Sequence, residues 1–231
     1  MEEDKEERLR KLTEKYFLPT HETDFFKKFG FERFVVLEGV LPPEKSVMGE
    51  FFPRFLFENK GIYRNKEVLE LGTGAGILGL VMAKHGAKKV VATDILEICA
   101  KNAVANAEIN SLENIFEART GDLFGCVKKS EKFDVIVFNH PLLTGKRSEG
   151  NPISVAVLNE GNLLESFLAE APKFLKPGGK IIQGFAELAE KSNDPKEHAA
   201  KYGLKVKILA TLAGPKGKIL FYELKPKNPK A

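Results

Sequence analysis

The sequence predicts an α/β fold: a doubly wound, mostly parallel seven-stranded sheet with an antiparallel C-terminal hairpin and a small N-terminal extension. Three observations predict it. Apolar, β-branched segments alternate with helical segments from about residue 66 onward, the pattern of βαβ units. A glycine-rich turn follows the first of these strands. The last two apolar segments are joined by the short connection AGPKG, which requires antiparallel neighbours.

The chain divides into an extension over residues 1–60, a main domain over 61–225 and a flexible tail over 226–231. Residues 1–17 are highly charged with sparse apolar positions, which predicts a solvated helix. Two groups of phenylalanines follow, at 25–34 and, on a predicted helix, at 51–57. We expect them to pack the extension onto the main domain; lining a substrate pocket is the alternative.

Seven segments of the main domain predict the strands of the sheet: KEVLEL, KKVVATD, NIFEART, FDVIVF, KIIQGF, LKVKILATL and KILFYELK. Helical patterns separate several of them, most clearly in ILGLVMAKHG, ILEICAKNAVANAEIN and EGNLLESFLAEAPKFL. The segment after FDVIVF reads as a loop to about residue 159, and a further helix is expected over 187–201. The order of strands and helices therefore indicates parallel crossovers that end in a hairpin.

Composition and charge exclude several classes of protein. The chain has 231 residues, of which 43% are hydrophobic, enough for a substantial core. No apolar run approaches the roughly 20 residues that span a bilayer, and the N-terminus is charged, so we expect a cytoplasmic protein without membrane contact. The net charge of +4 is too small to indicate nucleic-acid binding. Cys99 and Cys126 lie far apart, so neither a disulfide nor a metal site is predicted.

The glycine turn in LELGTGAGILG predicts a ligand site. Gly72, Gly74 and Gly76 lie between the first strand and the first helix, where open α/β sheets bind ligands. Glycine permits positive φ and a close backbone approach, and the helix N-terminus offers free N–H groups. GAGILG, with Asp94 after the second strand, also fits the dinucleotide pattern. Nicotinamide and flavin cofactors are therefore alternatives at this point.

The series ELGTGAG, ATDI, GDLF and FNHPLL resembles motifs one to four of the class I S-adenosylmethionine-dependent methyltransferases, over about residues 66–224. The resemblance implies a Rossmann-like methyltransferase fold and S-adenosylmethionine as cofactor. It implies that Glu70 helps to position the methionine amino group and that Asp94 holds both ribose hydroxyls. The further cofactor-binding residues that it implies are Gly72, Thr73, Gly74, Gly76, Ile95, Asp122, Leu123 and Asn139.

Each of the two aspartates also has a purely structural alternative. Asp94 could be a helix N-cap, and Asp122 could belong to an ordinary Gly-Asp turn. A carboxylate suits a vicinal diol because it accepts two hydrogen bonds, and the resemblance assigns the adenine amino group to Asp122. Their joint placement at successive strand ends, behind a glycine turn, favours cofactor binding for both.

The fourth motif departs from that of a subgroup that methylates planar nitrogens, Asn-Pro-Pro-Tyr. Here the residues are Asn139, His140, Pro141 and Leu142. The resemblance implies that the Asn139 side-chain oxygen and the His140 carbonyl hold the acceptor, and that Pro141 keeps His140 extended. Leu142 offers no aromatic face, which disfavours a nucleobase. A plain turn is the alternative interpretation of the whole motif. The His140 ring is either a general base or a solvent-facing loop histidine.

The segments VLPPE and VLNEGNLLESFLAEAPKFLKPGG are similar to parts of the glutamine N5-methyltransferases that modify release factors. The sequence therefore predicts a methyltransferase that acts on a nitrogen, in a protein side chain, with a protein as substrate. Methylation of an RNA or DNA base and a catalytically inactive, cofactor-binding partner protein are the alternatives. Lys146 and Arg147 follow the fourth motif, where they could meet an acidic or phosphate-bearing substrate or belong to a solvated loop.

Overall fold

The computed structural model describes residues 2–227, with side chains from residue 5 onward. Residues 228–231 of the expected tail lie outside this range. The described residues form seven α-helices: α1 (Glu2–Lys15), α2 (Val47–Glu58), α3 (Ile77–Lys84), α4 (Glu97–Ile109), α5 (Pro152–Val157), α6 (Leu163–Glu170) and α7 (Pro195–Ala199). They also form eleven strands: β1 (His21–Glu22), β2 (Val35–Val36), β3 (Glu67–Leu71), β4 (Lys89–Asp94), β5 (Phe116–Thr120), β6 (Phe133–Phe138), β7 (Leu143–Thr144), β8 (Leu158–Asn159), β9 (Leu175–Ala186), β10 (Leu204–Gly214) and β11 (Gly217–Pro226).

Seven of these strands form one sheet, in the order β10-β11-β9-β6-β3-β4-β5. The pairs among β3, β4, β5, β6 and β9 are parallel. Strand β11 is antiparallel to both of its neighbours and lies between β9 and β10. The predicted doubly wound sheet with an antiparallel hairpin at its end is confirmed.

The central strands are apolar along their length because helices cover both faces of the sheet. In β6, with the sequence FDVIVF, only Asp134 is not buried. Helix α3 is buried from Ile77 to Ala83, as expected of a helix that is apolar all round. Parallel strands buried in this way bring their carboxyl ends to one edge, and the loops at that edge are available for function.

The aromatic residues of the extension pack against the main domain, as expected. Phe26 and Phe52 are fully buried in the same core as the sheet residues Val68 and Val137. The Phe55 ring stacks on Phe221 of β11, with centroids 4.1 Å apart. Aromatic pairs of this kind add stability beyond the area that they bury. The phenylalanines of the extension therefore serve the core.

Helix α1 is less detached than its charge predicted. Thr13 is fully buried, and its hydroxyl accepts a hydrogen bond of 3.0 Å from the Asn151 amide. Lys5 forms an ion pair with Glu190. A polar helix docks in this way because a few contacts on one face suffice while the other faces stay solvated. Helix α1 therefore lies against the segment that follows β6.

Two expectations for loops and helices were wrong in detail. The segment between β6 and α6 was expected to be a loop, but it contains β7, α5 and β8. The helix expected over 187–201 is reduced to α7, which begins at Pro195 with Asp194 as its N-cap. Proline lacks the N–H that a longer helix would need at this position, so the helix starts there. None of the described helices combines the length and apolarity needed to cross a membrane.

Candidate cofactor and acceptor site

An open cleft of about 1040 Å³ lies at the carboxyl ends of β3, β4 and β6. Nine of the ten residues predicted to bind a cofactor border it. The exception is Gly76. Of the three residues predicted to be catalytic, Asn139 and Pro141 border the cleft and His140 does not. The nine residues of the wall are Glu70, Gly72, Thr73, Gly74, Asp94, Ile95, Asp122, Leu123 and Asn139.

Within the glycine turn, Gly74 and Gly76 have different roles. Gly74 has φ of +55°, and a Cβ atom there would meet no protein atom within 4 Å, so it would stand in the cleft. Gly76 has φ of +92° and is the N-cap of α3. A Cβ atom at Gly76 would lie 3.0 Å from Ala103. Gly74 thus leaves space for a ligand, whereas Gly76 lets α3 pack closely against α4.

The buried side chain of Glu70 is hydrogen-bonded to the glycine turn and to the first turn of α3. It is 1% exposed, and its Oε2 accepts hydrogen bonds from the Thr73 hydroxyl at 2.7 Å and the Gly79 N–H at 3.1 Å. Burial raises the pKa of the Glu70 carboxyl to about 8. A Cβ atom at Gly79 would lie 2.4 Å from Oε2. Gly79 is therefore required for this contact, a role that the sequence pattern did not reveal.

Asp94 connects the second strand to the glycine turn. Its Oδ2 accepts from the Gly74 N–H at 2.9 Å and its Oδ1 from the Leu96 N–H at 3.0 Å. The N-cap of α4 is Leu96, so the alternative that Asp94 is the N-cap is wrong. Burial raises the pKa of Asp94, while the backbone N–H groups oppose that change. Both oxygens of the Asp94 carboxylate are therefore held by backbone N–H groups beside the cleft.

The outer wall of the cleft is formed by Ile95, Asp122 and Leu123. The Ile95 side chain is 44% exposed, which is unusual for a large apolar group. Asp122 is exposed, and Leu123 has a positive φ of 44°. A β-carbon makes this backbone conformation unfavourable, and such strained residues cluster at ligand sites. The three residues offer an apolar face, a carboxylate and a strained backbone side by side.

Asn139 stands at the other end of the cleft, directly after β6. Its side-chain oxygen is buried and has no hydrogen-bond partner in the described structure. A buried, unpaired amide oxygen costs about 1–3 kcal/mol and therefore indicates a missing donor. Pro141 also borders the cleft. The carboxamide of Asn139 is thus an open acceptor for an N–H group.

The His140 ring points away from the cleft. It is 2% exposed, its Nε2 donates to the Asn193 carbonyl at 2.8 Å, and its Nδ1 lies 3.4 Å from the Gln183 amide nitrogen. Burial lowers the pKa of the imidazole to about 4. The expectation of a solvent-facing histidine is wrong because the ring is enclosed by polar partners. A general-base role has no geometric support, since both nitrogens are engaged elsewhere.

Residues of the extension complete the wall and were not predicted. Leu41, Pro43, Ser46 and Gly49 border the cleft at the start of α2. The Ser46 hydroxyl caps α2 through the Gly49 N–H. A Cβ atom at Gly49 would lie only 2.1 Å from the Pro43 carbonyl oxygen. The signal available in the sequence was Gly49 within the phenylalanine-rich helix α2, since a glycine inside a helix often marks a close approach of another backbone segment.

The cationic side chains next to the fourth motif are separated by the fold. Arg147 borders the cleft, and its Nε donates to the Leu158 carbonyl. Lys146 is exposed and does not border it. No other lysine or arginine occurs in the cleft wall formed by residues 2–227, and no cluster suited to a metal ion was found among the residues described. The cleft is therefore mainly apolar and anionic.

Comparison with known proteins supports this geometry. The sequence profile of the family "Ribosomal protein L11 methyltransferase (PrmA)" matches residues 56–143. A Methanocaldococcus jannaschii protein, provisionally named a protein N5-glutamine methyltransferase, is 33% identical over 180 residues, which cover 75% of this chain and 85% of that protein. The chain belongs to the class I S-adenosylmethionine-dependent methyltransferases.

Other relatives either match a shorter part of the chain or have lower sequence identity to it. The ribosomal protein L11 methyltransferase of Listeria innocua is 34% identical over 116 residues, which cover 50% of this chain and 31% of that protein. The solved structure of the Thermus thermophilus 16S rRNA methyltransferase RsmC has a TM-score of 0.61 at 23% identity, covering 83% of this chain and 47% of that one. The L11 methylase of Lactobacillus delbrueckii has a TM-score of 0.56 at 22% identity, with 76% and 77% covered. At such identities the two structures establish the fold.

The residues present fit S-adenosylmethionine. Gly74, Asp94 and Asn139, whose side-chain oxygen is unpaired, all border one cleft. When bound, the cofactor supplies an electrophilic methyl group on a sulfonium. The cleft lies at the edge of the sheet where open α/β folds bind their ligands.

Proposed function

We propose that this methyltransferase transfers the methyl group to a planar nitrogen of a protein side chain, with a carboxamide as the acceptor. The buried, unpartnered oxygen of Asn139 is the observation that carries the proposal. A primary amide has two N–H donors, and one of them can satisfy that oxygen. The names of the relatives, which refer to glutamine and to ribosomal protein L11, agree with a protein acceptor.

The residues of the chain would act by binding and orientation. Asn139 accepts a hydrogen bond from the acceptor nitrogen, and the His140 carbonyl is proposed to accept the second. Both bonds turn the lone pair of the nitrogen toward the methyl group and hold the two reactants within reach. The apolar wall contributed by Leu41 and Pro43 keeps water from the reacting atoms. No side-chain base is needed at the start, because the nitrogen becomes acidic as it is alkylated.

A nucleobase acceptor has less support from the described residues. Phe138 is the aromatic residue of the cleft wall, and its ring packs on Phe167 at 4.8 Å and under Gly72. A base stacks on an exposed aromatic face and needs a cationic path for its phosphates. Arg147 alone lines the wall among the lysines and arginines of residues 2–227. We therefore assign the acceptor to protein.

The test is to incubate the enzyme with S-adenosylmethionine tritiated on the methyl group and with separated protein and RNA fractions of a cell extract. The Asn139→Ala variant, incubated in parallel, gives the background. Labelled protein is then hydrolysed in strong acid. A methylated carboxamide releases volatile methylamine, whereas methylated lysine and arginine remain in the non-volatile fraction.

We expect label in the protein fraction, released as volatile base, with the variant at background. Non-volatile label in protein would exclude the carboxamide. Label in RNA would overturn the assignment to protein. Incorporation absent from every fraction would favour the inactive partner protein that the altered fourth motif suggested.

A further inference from the structure

Asn193 lies far from every sequence motif but is bonded to the acceptor side of the site. It ends a short 3-10 turn between β9 and α7 and is 1% exposed. Its Nδ2 donates to the Leu142 carbonyl at 2.8 Å and to the Thr144 hydroxyl at 3.0 Å. Leu142 directly follows Pro141, and Thr144 lies two residues further along. The side chain of Asn193 therefore spans the segment in which the fourth motif ends.

Two further bonds complete the arrangement. The Asn193 Oδ1 accepts from the Asn159 amide at 2.5 Å, and its backbone carbonyl accepts from the His140 ring at 2.8 Å. A primary amide has two donor hydrogens and one acceptor oxygen, so all three positions are used. Reversing the amide would place its oxygen against the Leu142 carbonyl, and the network therefore fixes its orientation.

A buried polar network stabilises the fold less than apolar side chains of the same volume would. Buried polar groups gain little net stability when they are paired and lose much when they are not, so an apolar side chain would be simpler. What the network gives is a fixed direction. The chain is held at His140 by the imidazole, at Leu142 by the carbonyl and at Thr144 by the hydroxyl.

The clamp lies next to the reacting groups. Asn139 stands between the end of β6 and the first clamped residue, His140. Residue 140 is not a proline, so no pyrrolidine ring fixes its φ. Pro141 constrains only ψ of the residue before it. The direction of the Asn139 carboxamide and of the His140 carbonyl therefore depends on what holds the following residues.

We propose that Asn193 is a positioning residue for methyl transfer: by clamping residues 140–144 it aims the Asn139 oxygen and the His140 carbonyl at the acceptor nitrogen. The inference rests on the acceptor role proposed for Asn139. Asn193 touches neither reactant and acts through the backbone of its partners. A displacement near 1 Å at such a segment costs about a hundredfold in rate.

Hydrogen–deuterium exchange and methyl transfer test the inference together. Asn193→Asp keeps the size of the side chain but replaces both donors with an oxygen that faces the Leu142 carbonyl. Asn193→Ala removes the bonds to Leu142, Thr144 and Asn159 and leaves only the backbone carbonyl that accepts from the His140 ring. Asn102 is the matched control, since it is equally buried and bonded to backbone, but its partners are Val35 and Leu37 of the extension.

In both Asn193 variants we expect backbone amides of 142–145 to exchange at least tenfold faster, with kcat reduced at least tenfold and the affinity for S-adenosylmethionine within twofold of wild type. Asn102→Ala should lose comparable thermal stability with neither change. A merely structural Asn193 would behave like Asn102. Normal exchange at 142–145 in Asn193→Asp, or full kcat in either variant, would overturn the inference.

Two further controls test the clamp if the Asn193 variants fold poorly or if no acceptor is labelled. Thr144→Val removes one acceptor of the same amide, so exchange at 142–145 should rise by a smaller factor than in the Asn193 variants. This variant still tests the clamp if both Asn193 variants fold poorly. Unchanged exchange at 142–145 in Thr144→Val would count against the clamp. Exchange needs no acceptor substrate, so it decides the clamp even if wild type labels no fraction. Loss of activity in Asn139→Ala but not in Asn193→Asp would refute only the clamp.

Discussion

The two halves of the cleft are built by different means. On the cofactor side, Asp94 is bonded to Gly74 of the glycine turn, 20 residues earlier, at the ends of neighbouring strands. On the acceptor side, His140 is held by Asn193, 53 residues further along the chain. The first half depends on backbone shape and on missing side chains, the second on a buried polar network. The comparison implies that damage to one half should leave the other half working.

The largest expected effect is on the acceptor side. Asn139→Ala removes the carboxamide that orients the acceptor and should lower methyl transfer by at least about a hundredfold. Affinity for S-adenosylmethionine should stay within about threefold, because an orienting group acts mainly on the reacting acceptor. Rates and calorimetric affinities from one protein preparation check both. Full turnover in the variant would mean that FNHPLL is only a turn.

The complementary change on the cofactor side is Asp94→Ala. Hydrogen bonds to a charged acceptor contribute about 1.5–3 kcal/mol, so affinity should fall by roughly 10- to 150-fold. The Gly74 N–H also loses its partner, which adds to the effect. Calorimetry with S-adenosylmethionine measures it, and circular dichroism checks that the variant is folded. An unchanged affinity in a folded variant would remove Asp94 from the site.

Gly79→Ala tests whether the cofactor half depends on a missing side chain. The new methyl group would press on Glu70 Oε2 from 2.4 Å and on the Phe116 ring from 2.7 Å. Overpacking of this kind costs about 1–3 kcal/mol, and each kcal/mol lowers the melting temperature of such a domain by about 2–4 °C. Thermal unfolding measures the loss. Gly61→Ala, where a Cβ atom would meet nothing within 4 Å and φ is not positive, is the control for crowding; an equal loss there would mean that the contact with Glu70 is not the cause.

The pH dependence of stability also distinguishes the two halves. In the folded state the pKa of His140 is about 4, against 6.5 for the free side chain. The unfolded chain therefore binds the proton more readily, and stability should fall as pH falls from 6.5 to 4, by up to about 3 kcal/mol. His140→Gln should flatten unfolding curves in that window. An unchanged pH dependence would mean that the ring is not buried as a neutral group.

Glu70 should act with the opposite sign. Its pKa is raised from 4.5 to about 8, so its contribution is fully present below pH 4.5 and is lost as pH rises through 8. Glu70→Gln can still accept from Thr73 and Gly79. The variant should match wild type near pH 5 and exceed it above pH 8 in urea unfolding without cofactor. Equal stability of the two proteins at pH 9 would contradict this.

The same contrast explains what the sequence could predict. The sheet, its hairpin, the glycine turn and Asp94 followed from local patterns, since strand ends and glycine turns carry their own signals. The other wall residues were implied by the resemblance to the class I methyltransferases. The His140 environment did not, because its partners Gln183 and Asn193 are brought close only by the fold. The contribution of Pro43 and Gly49 to the wall was hidden for the same reason. Long-range burial leaves no periodic signature in one sequence.

The position of β11 in the sheet has a consequence for the order of assembly. It is the last strand along the chain but lies between β9 and β10, and its Phe221 covers Phe55, 166 positions earlier. During synthesis β10 leaves the ribosome without a partner strand, and α2 waits with an open aromatic face. Domains tend to fold as they emerge, but the aromatic face of α2 can be covered by Phe221 only after β11 has been inserted.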